Sequence, residues 1–207
     1  MSILDKLASS LNHRDEKPNE QLADEFAKKN DAKAIQELIE NLNNKNKDIQ
    51  SDCIKVLYEI GERKPKLIAA YVKDFIVLLD HKNNRLQWGA MTAIDSITNE
   101  NPEIVYQSLS KILAVAESGS VITKDHAVNI LIKLCAIKKF SEDAFELLIE
   151  QLKNSFPNQL AMYAENSLPI INEKNKNIFI RTLTARLKDI EKETKRKRVA
   201  KVIKKLS

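Results

Sequence analysis

The sequence predicts an all-α fold, and two general features support this prediction. Of the 207 residues, only 3 are glycine and 5 are proline, so the residues that usually mark turns are scarce. Apolar residues recur at helical spacing along the chain, and no alternating pattern typical of strands competes with them. A third feature, an internal repeat, predicts how the helices are arranged.

The internal repeat has a period of 37 residues. The segment IQSDCIKVLYEIG from Ile49 aligns at this offset with LQWGAMTAIDSIT from Leu86. Each repeat reads as a pair of helices, and three sets of equivalent apolar positions, which we call columns, recur in the second helix of four repeats. The columns are Cys53, Ala90, Ala127 and Ala164; Leu57, Ile94, Leu131 and Leu168; and Ile60, Ile97, Leu134 and Ile171. A hairpin of this size cannot bury its apolar stripe alone, so hairpins must stack. The repeat therefore predicts a right-handed α-solenoid of stacked helical hairpins.

A first helix in each repeat keeps the same offset. One of its columns is Ile39, Ile76 and Leu113, and the other is Val72 and Leu109. Pro65 and Pro102 obey the offset too, at places where proline is tolerated in or just before a first turn. Gly89 falls inside a second helix, where glycine costs about 1 kcal/mol relative to alanine. Close approach of another helix is one explanation for Gly89, and simple tolerance of this cost is the other.

These hairpins resemble the HEAT repeat family. The resemblance rests on a first helix, a short polar turn such as NNKNKD or DHKNN, and a second helix that begins near Asp or Asn and continues with small then large apolar residues. The chain lacks the family's frequent arginine in the second helix and its usual proline in several first helices. An armadillo-like variant is therefore the alternative. The resemblance implies that the second helices line a concave face.

The two ends differ from the repeats. Residues 1–12 place Ile3, Leu4, Leu7 and Leu11 on one face, which predicts a short helix over the first repeat. We expect N-terminal capping helices over residues 1–30, HEAT-like repeats over 31–171, and a C-terminal repeat with a basic capping helix over 172–207. An independent partner-binding helix is the alternative for the N-terminal segment.

One face of the second helices is predicted to bind a partner. If positions 53, 57 and 60 face the core, a rotation of 100° per residue turns positions 51, 55, 58 and 62 to the opposite side. Trp88, the single tryptophan, shares its column with Ser51 and therefore points away from the core. The predicted face comprises Lys55, Tyr58, Trp88, Thr92, Asp95, Asp125, Asn129, Ile132 and Met162. An exposed aromatic beside apolar neighbours is typical of a partner-binding patch, and packing of Trp88 against an adjacent turn is the alternative.

Positive charge is concentrated at the C-terminus. Residues 186–207 carry a net charge of +7, whereas residues 1–185 carry −2. The segment KETKRKRVAKVIKK and the residues after it keep Val199, Val202, Ile203 and Leu206 on one side, which predicts an amphipathic helix with a basic outer face. Such a helix is either a solvated cap or a surface for nucleic acid or another anion. The candidate anion-binding residues are Lys195, Arg196, Lys197, Arg198 and Lys201.

No catalytic constellation emerges from the sequence. His13, His81 and His126 lie far apart, no Cys or His pair has zinc-ligand spacing, and no glycine-rich phosphate loop is present. We therefore expect no enzyme, no cofactor and no metal site. Buried cysteines and the lack of a signal peptide or a long apolar run favour a cytoplasmic location.

One enzymatic alternative comes from a second resemblance. The bacterial alkylpurine DNA glycosylases are similar to this chain in size, basic balance and stacked helical hairpins, and they place Trp, Asp and Arg in the concave groove. Trp88 and Asp95 match the aromatic residue and the carboxylate, but no arginine accompanies them on that face of the next repeat. The function we expect is a non-enzymatic scaffold for protein or peptide binding through the concave face, with a nucleic-acid-binding solenoid as the alternative.

Overall fold

The computed structural model describes residues 2–207, and over this range it contains helices and no strand. The all-α prediction is confirmed. The chain divides into two compact units, residues 1–127 and residues 128–207. Within the described range, none of the helices combines the length and apolarity needed to cross a membrane.

Seven helices and the start of an eighth belong to the first unit. They are α1 (Lys17–Lys29), α2 (Ala32–Glu40), α3 (Lys47–Arg63), α4 (Val72–Leu78), α5 (Asn84–Ile97), α6 (Pro102–Gln107), α7 (Leu109–Ser118) and α8 (Val121–Cys135). The division between the units falls inside α8. The second unit continues with α9 (Ser141–Asn154), α10 (Pro157–Ser167), α11 (Lys176–Arg186) and α12 (Glu193–Leu206).

The predicted columns of the second helices are buried in the first three repeats. The small residues of the first column are fully buried in all four repeats, from Cys53 to Ala164. The register ends early in the fourth repeat, where Leu168 and Ile171 are only partly buried. Helix α10 stops at Ser167, because Pro169 cannot donate a helical hydrogen bond and its ring clashes with the preceding turn.

The first helices differ from the prediction in one respect. Their fully or nearly fully buried column is Leu38, Phe75 and Ile112, whereas Ile39, Ile76 and Leu113 are only partly buried. The predicted column therefore lies at the edge of the apolar stripe, one position after its centre. Pro65 and Pro102 each begin a helical segment, a 3₁₀ turn at Pro65–Leu67 and helix α6.

The N-terminal segment packs against the first unit. It forms a 3₁₀ turn over Ile3–Lys6, and Leu7 of the predicted apolar face is fully buried, whereas Leu11 is exposed. The buried carboxylate of Asp52 on α3 accepts hydrogen bonds from Ser9 N at 2.8 Å and Asn19 Nδ2 at 2.7 Å. Asn19 Oδ1 in turn accepts from the backbone N–H of Ala8 at 3.0 Å. These contacts support a capping role for this segment, although the domain boundaries stay predictions.

Gly89 lies where α3 and α5 approach closely. A Cβ atom added to Gly89 would lie 2.7 Å from Ile54 Cγ1 and 3.1 Å from its Cγ2. Carbon atoms in contact are normally about 3.5–4.0 Å apart, so only glycine fits at this separation. Of the two explanations for Gly89, close helix approach is therefore the one that the structure supports.

Candidate functional site

The close approach of α3 and α5 brings two aromatic side chains together. The ring centroids of Tyr58 and Trp88 are 5.7 Å apart, and the ring planes are tilted by 51°. Aromatic pairs favour such tilted arrangements over face-to-face stacking. Tyr58 is buried and Trp88 is partly exposed, so Trp88 forms the accessible part of this pair.

Two cations lie beside the aromatic pair. Lys55 Nζ is 5.0 Å from the centroid of the Tyr58 ring, and Arg85 Cζ is 5.6 Å from that of Trp88. Both distances are within the range of cation–π attraction. Each basic side chain therefore attracts the ring on its own helix, Lys55 the ring of Tyr58 on α3 and Arg85 the ring of Trp88 on α5.

Lys55 is the centre of a group of carboxylates. Its Nζ lies 2.6 Å from Glu59, 3.3 Å from Glu16 and 3.5 Å from Glu20. Burial alone would lower the pKa of Lys55, but hydrogen bonds to Glu59 and Tyr58 outweigh it and raise the pKa above its usual value. Lys55 is therefore a charged, buried group that the surrounding acids stabilise.

Negative charge surrounds the aromatic pair. Arg85 forms an ion pair with Glu16. Burial raises the pKa of Tyr58, and the charges of Glu59 and Glu62 add to this increase, while Lys55 opposes it. Glu62 is exposed and Glu59 is partly exposed. We call Tyr58, Glu59, Glu62, Arg85 and Trp88 the Trp88 patch. Together with Glu16 and Glu20, the patch has four carboxylates beside three cations, which are Lys55, Arg85 and Arg63, and Arg63 pairs with Glu59.

A hydrogen-bonded acid and histidine lie farther along α5. Asp95 Oδ2 is 2.7 Å from His126 Nδ1, and Asp95 is buried. Thr92, one turn before Asp95, donates its hydroxyl to the Trp88 carbonyl at 3.0 Å. Asp95 is therefore a buried residue that contacts α8 from α5. The glycosylase resemblance implied an exposed position in the groove instead.

The predicted partner-binding face is more buried than expected. Four of its members are only 5% to 7% exposed, so an open face is wrong for these residues: Lys55, Tyr58, Thr92 and Asp95. The physical reason is that charged or aromatic partners cover them, as Glu16 and Glu20 do for Lys55. Trp88 both packs on Tyr58 and keeps part of its surface accessible.

The other members of the predicted face are partly exposed. Asp125 belongs to the first unit, and Asn129, Ile132 and Met162 belong to the second. Within the second unit, Asn129 Oδ1 accepts a hydrogen bond from Asn166 Nδ2 at 3.3 Å. The contacts around Trp88 that are described above all lie within the first unit.

Several residues of the site were missed in the sequence. Glu59 follows Lys55 by four residues, a spacing that predicts a helical ion pair, and could have been found. Glu16, just before α1, and Glu20, within α1, reach Lys55 across more than 30 residues of sequence and carry no such local signal. Arg85 precedes Trp88 by three residues, which places it on the same helix face.

The basic C-terminal helix has the predicted amphipathic character. Val199 and Val202 of α12 are buried, while Arg196, Lys197 and Lys201 are exposed and Lys195 is partly exposed. Among the predicted anion-binding residues, Arg198 is committed to a bidentate pair with Glu165, with Nε 2.8 Å from Oε1. This pair lowers the pKa of Glu165.

The fold is similar to solved structures of helical repeat proteins. No protein-family model and no curated protein sequence matches the chain. A designed armadillo repeat protein in complex with the peptide (KR)4 has a TM-score of 0.71 at 16% identity, with 99% of both chains covered. A second designed armadillo repeat protein has a TM-score of 0.65 at 17% identity, with 99% of this chain and 100% of the other covered. An engineered protein has a TM-score of 0.62 at 19% identity, again with 99% and 100% covered.

These similarities define the class of protein. At such low identities they show the fold alone, which is an armadillo-like helical repeat fold over nearly the whole chain. The predicted all-α repeat class and the resemblance to HEAT and armadillo repeats are confirmed. The function of the chain has to be argued from its own residues.

Proposed function

We propose that this protein is a repeat scaffold that binds a segment of a partner protein at the Trp88 patch. The observation that carries the proposal is the Tyr58–Trp88 pair, in which Trp88 keeps an accessible surface while Tyr58 holds it from beneath. An anchored tryptophan loses little conformational entropy on binding, and such residues often dominate interface energetics. A designed armadillo repeat protein with a similar fold is known in complex with a peptide, which supports this use of the fold.

The charge of the Trp88 patch indicates the chemistry of the partner segment. The carboxylate of Glu62 lies on the same helix as Tyr58 and is exposed to solvent, whereas Glu59 is already paired with Lys55 and Arg63. Opposite charges across an interface accelerate association and exclude partners of the wrong charge. A segment rich in lysine or arginine is therefore the favoured partner.

A titration of the intrinsic fluorescence tests this proposal. Trp88 is the sole tryptophan of the chain, so its emission reports on the patch without labelling. The octapeptide (KR)4 should change the emission in a saturable manner at low salt, whereas an acidic octapeptide of equal length should not. A change that is absent with (KR)4, or equal for both peptides, would contradict the proposed partner chemistry.

Variants separate the patch from general charge attraction. Trp88→Ala, measured by calorimetry, should weaken (KR)4 binding at least about tenfold, because a buried aromatic anchor is worth more than about 1.4 kcal/mol. Glu62→Gln should weaken binding and reduce its salt dependence. Val77→Ala is the matched control, since Val77 is an apolar side chain of the same unit that is 68% exposed. Equal losses in Trp88→Ala and Val77→Ala would argue against the site.

A further inference from the structure

A second surface, separate from the Trp88 patch, is formed by the outer face of α12. The apolar side of this helix is buried through Val199 and Val202, and α12 contacts both α10 and α11. Its orientation is therefore fixed by packing. The side that faces solvent carries exposed cations at Arg196, Lys197 and Lys201, and also at Lys204 and Lys205.

Most of these cations are not neutralised by acids of the chain. Lys197 pairs with Glu193 at 2.8 Å, but both side chains are well exposed, so the pair is weak. Arg196, Lys204 and Lys205 make no ion pair within residues 2–207, while the charge of Lys201 lies near enough to Glu165 to help lower the pKa of that carboxylate. No acidic residue follows Glu193 in the sequence. The outer face is therefore a row of exposed positive charge, and the acid that its own helix supplies, Glu193, lies at the start of the helix beside Lys197.

The spacing of the row suits an extended anionic surface. Lys197, Lys201 and Lys205 are separated by four residues, which places them on one side of the helix at about 6 Å intervals. Lys204 lies beside this line, three residues after Lys201. The row therefore spans about 12 Å along the helix axis, long enough to contact several phosphates of a nucleic-acid backbone.

The composition of the face selects among anionic partners. No aromatic residue occurs in α12, so the helix lacks the stacking platform that single-stranded nucleic acid uses. The apolar residues Val199 and Val202 are buried in the fold, so they cannot insert into a lipid interface. Phosphate contacts to a duplex need only the exposed cations. We infer that the outer face of α12 binds the backbone of duplex nucleic acid without sequence specificity.

This inference goes beyond the proposed function, because it concerns another unit, the opposite charge and a different class of partner. Arg198 is excluded from the binding row since Glu165 holds it, and Lys204 and Lys205 are added to the residues expected from sequence. About four phosphate contacts predict a slope near −3.6 in a plot of log affinity against log salt concentration. Affinity should then fall about 150-fold between 50 and 200 mM salt.

The experiment uses the full chain and a fluorescently labelled 20-base-pair DNA duplex, with binding followed by anisotropy at several salt concentrations. The triple variant Lys201→Gln, Lys204→Gln and Lys205→Gln should bind more weakly at low salt and reduce the slope by about 2.7. The control is a triple variant with the same loss of charge at exposed lysines of the first unit: Lys33→Gln, Lys66→Gln and Lys73→Gln. It should retain most of the affinity and the original slope.

Several results would overturn the inference. These are absence of duplex binding at 50 mM salt, an equal loss in both triple variants, or tighter binding to vesicles of phosphatidylserine than to the duplex. Circular dichroism of each variant establishes that it is folded. Trp88→Ala should leave duplex affinity unchanged, and the α12 triple variant should still bind (KR)4, so failure of either proposal is distinguishable from failure of the other.

Discussion

Replacement of Gly89 by alanine tests the close approach that creates the Trp88 patch. The added Cβ would lie 2.7 Å from Ile54 Cγ1, well inside normal carbon contact. Ile54 is fully buried and β-branched, so its side chain has few alternative rotamers in a helix. Helices α3 and α5 would have to separate to accommodate the methyl group.

The magnitude follows from two opposing effects. Overpacking of a tight core costs about 1–3 kcal/mol, while alanine gains about 1 kcal/mol over glycine in helix propensity. We expect the overpacking cost to be in the upper part of its range, because Ile54 Cγ1 and Cγ2 are both fixed near the backbone. After subtraction of the gain in helix propensity, Gly89→Ala should lower the free energy of unfolding by about 1–2 kcal/mol. The separation should also shift the emission of Trp88, since Trp88 would lose part of its contact with Tyr58.

A double-mutant cycle provides the decisive assay. Ile54→Ala removes both atoms that Gly89→Ala would meet, so in that background the second substitution should raise stability by about 1 kcal/mol. Unfolding in urea followed by far-UV circular dichroism measures all four proteins without relying on Trp88. If Gly89→Ala stabilises the wild-type chain as much as the Ile54→Ala chain, the reasoning about close approach is refuted.

Three further predictions concern the packing and ionisation of the fold. Asp52→Ala should cost about 2 kcal/mol, because it leaves buried donors such as Asn19 without their acceptor, and should expose the N-terminal segment to trypsin; unchanged urea midpoint and digestion would contradict this. Arg198 lowers the pKa of Glu165, so the stability that this pair contributes is present above the unfolded pKa near 4.5 and is lost as pH falls through the folded pKa. Arg198→Gln should therefore lower the free energy of unfolding by less than about 1 kcal/mol, because the pair is exposed, and thermal unfolding should show this loss shrinking at acid pH but not at alkaline pH. Burial raises the pKa of Cys53 to about 12, so a thiol reagent at pH 8 should label it only on unfolding, and rapid labelling of the folded chain would show that the thiol is accessible.

The repeat could be predicted from the sequence because stacking requires the same buried positions in every hairpin. Cys53, Ala90 and Ala127 occupy equivalent buried places for this reason. Leu168 and Ile171 broke the pattern because Pro169 ended the helix, a local effect that outweighed the repeat.

The candidate site could be predicted only in part. Rotation of the helix correctly separated Trp88 from the fully buried columns, because that depends on local geometry. The burial of Lys55 depends on Glu16 and Glu20, which lie at the start of α1, a helix whose position no periodicity within α3 specifies. The role of Gly89 likewise depended on Ile54 in the neighbouring helix. The cytoplasmic location and the binding role of the face stay predictions.

The most direct test of the central claim is calorimetric titration of (KR)4 into the wild-type protein and the Trp88→Ala variant at low salt. We predict saturable binding to the wild type and at least about tenfold weaker binding to the variant, with Val77→Ala unchanged. Equal affinity in all three proteins would contradict the claim that Trp88 and its patch form the binding site.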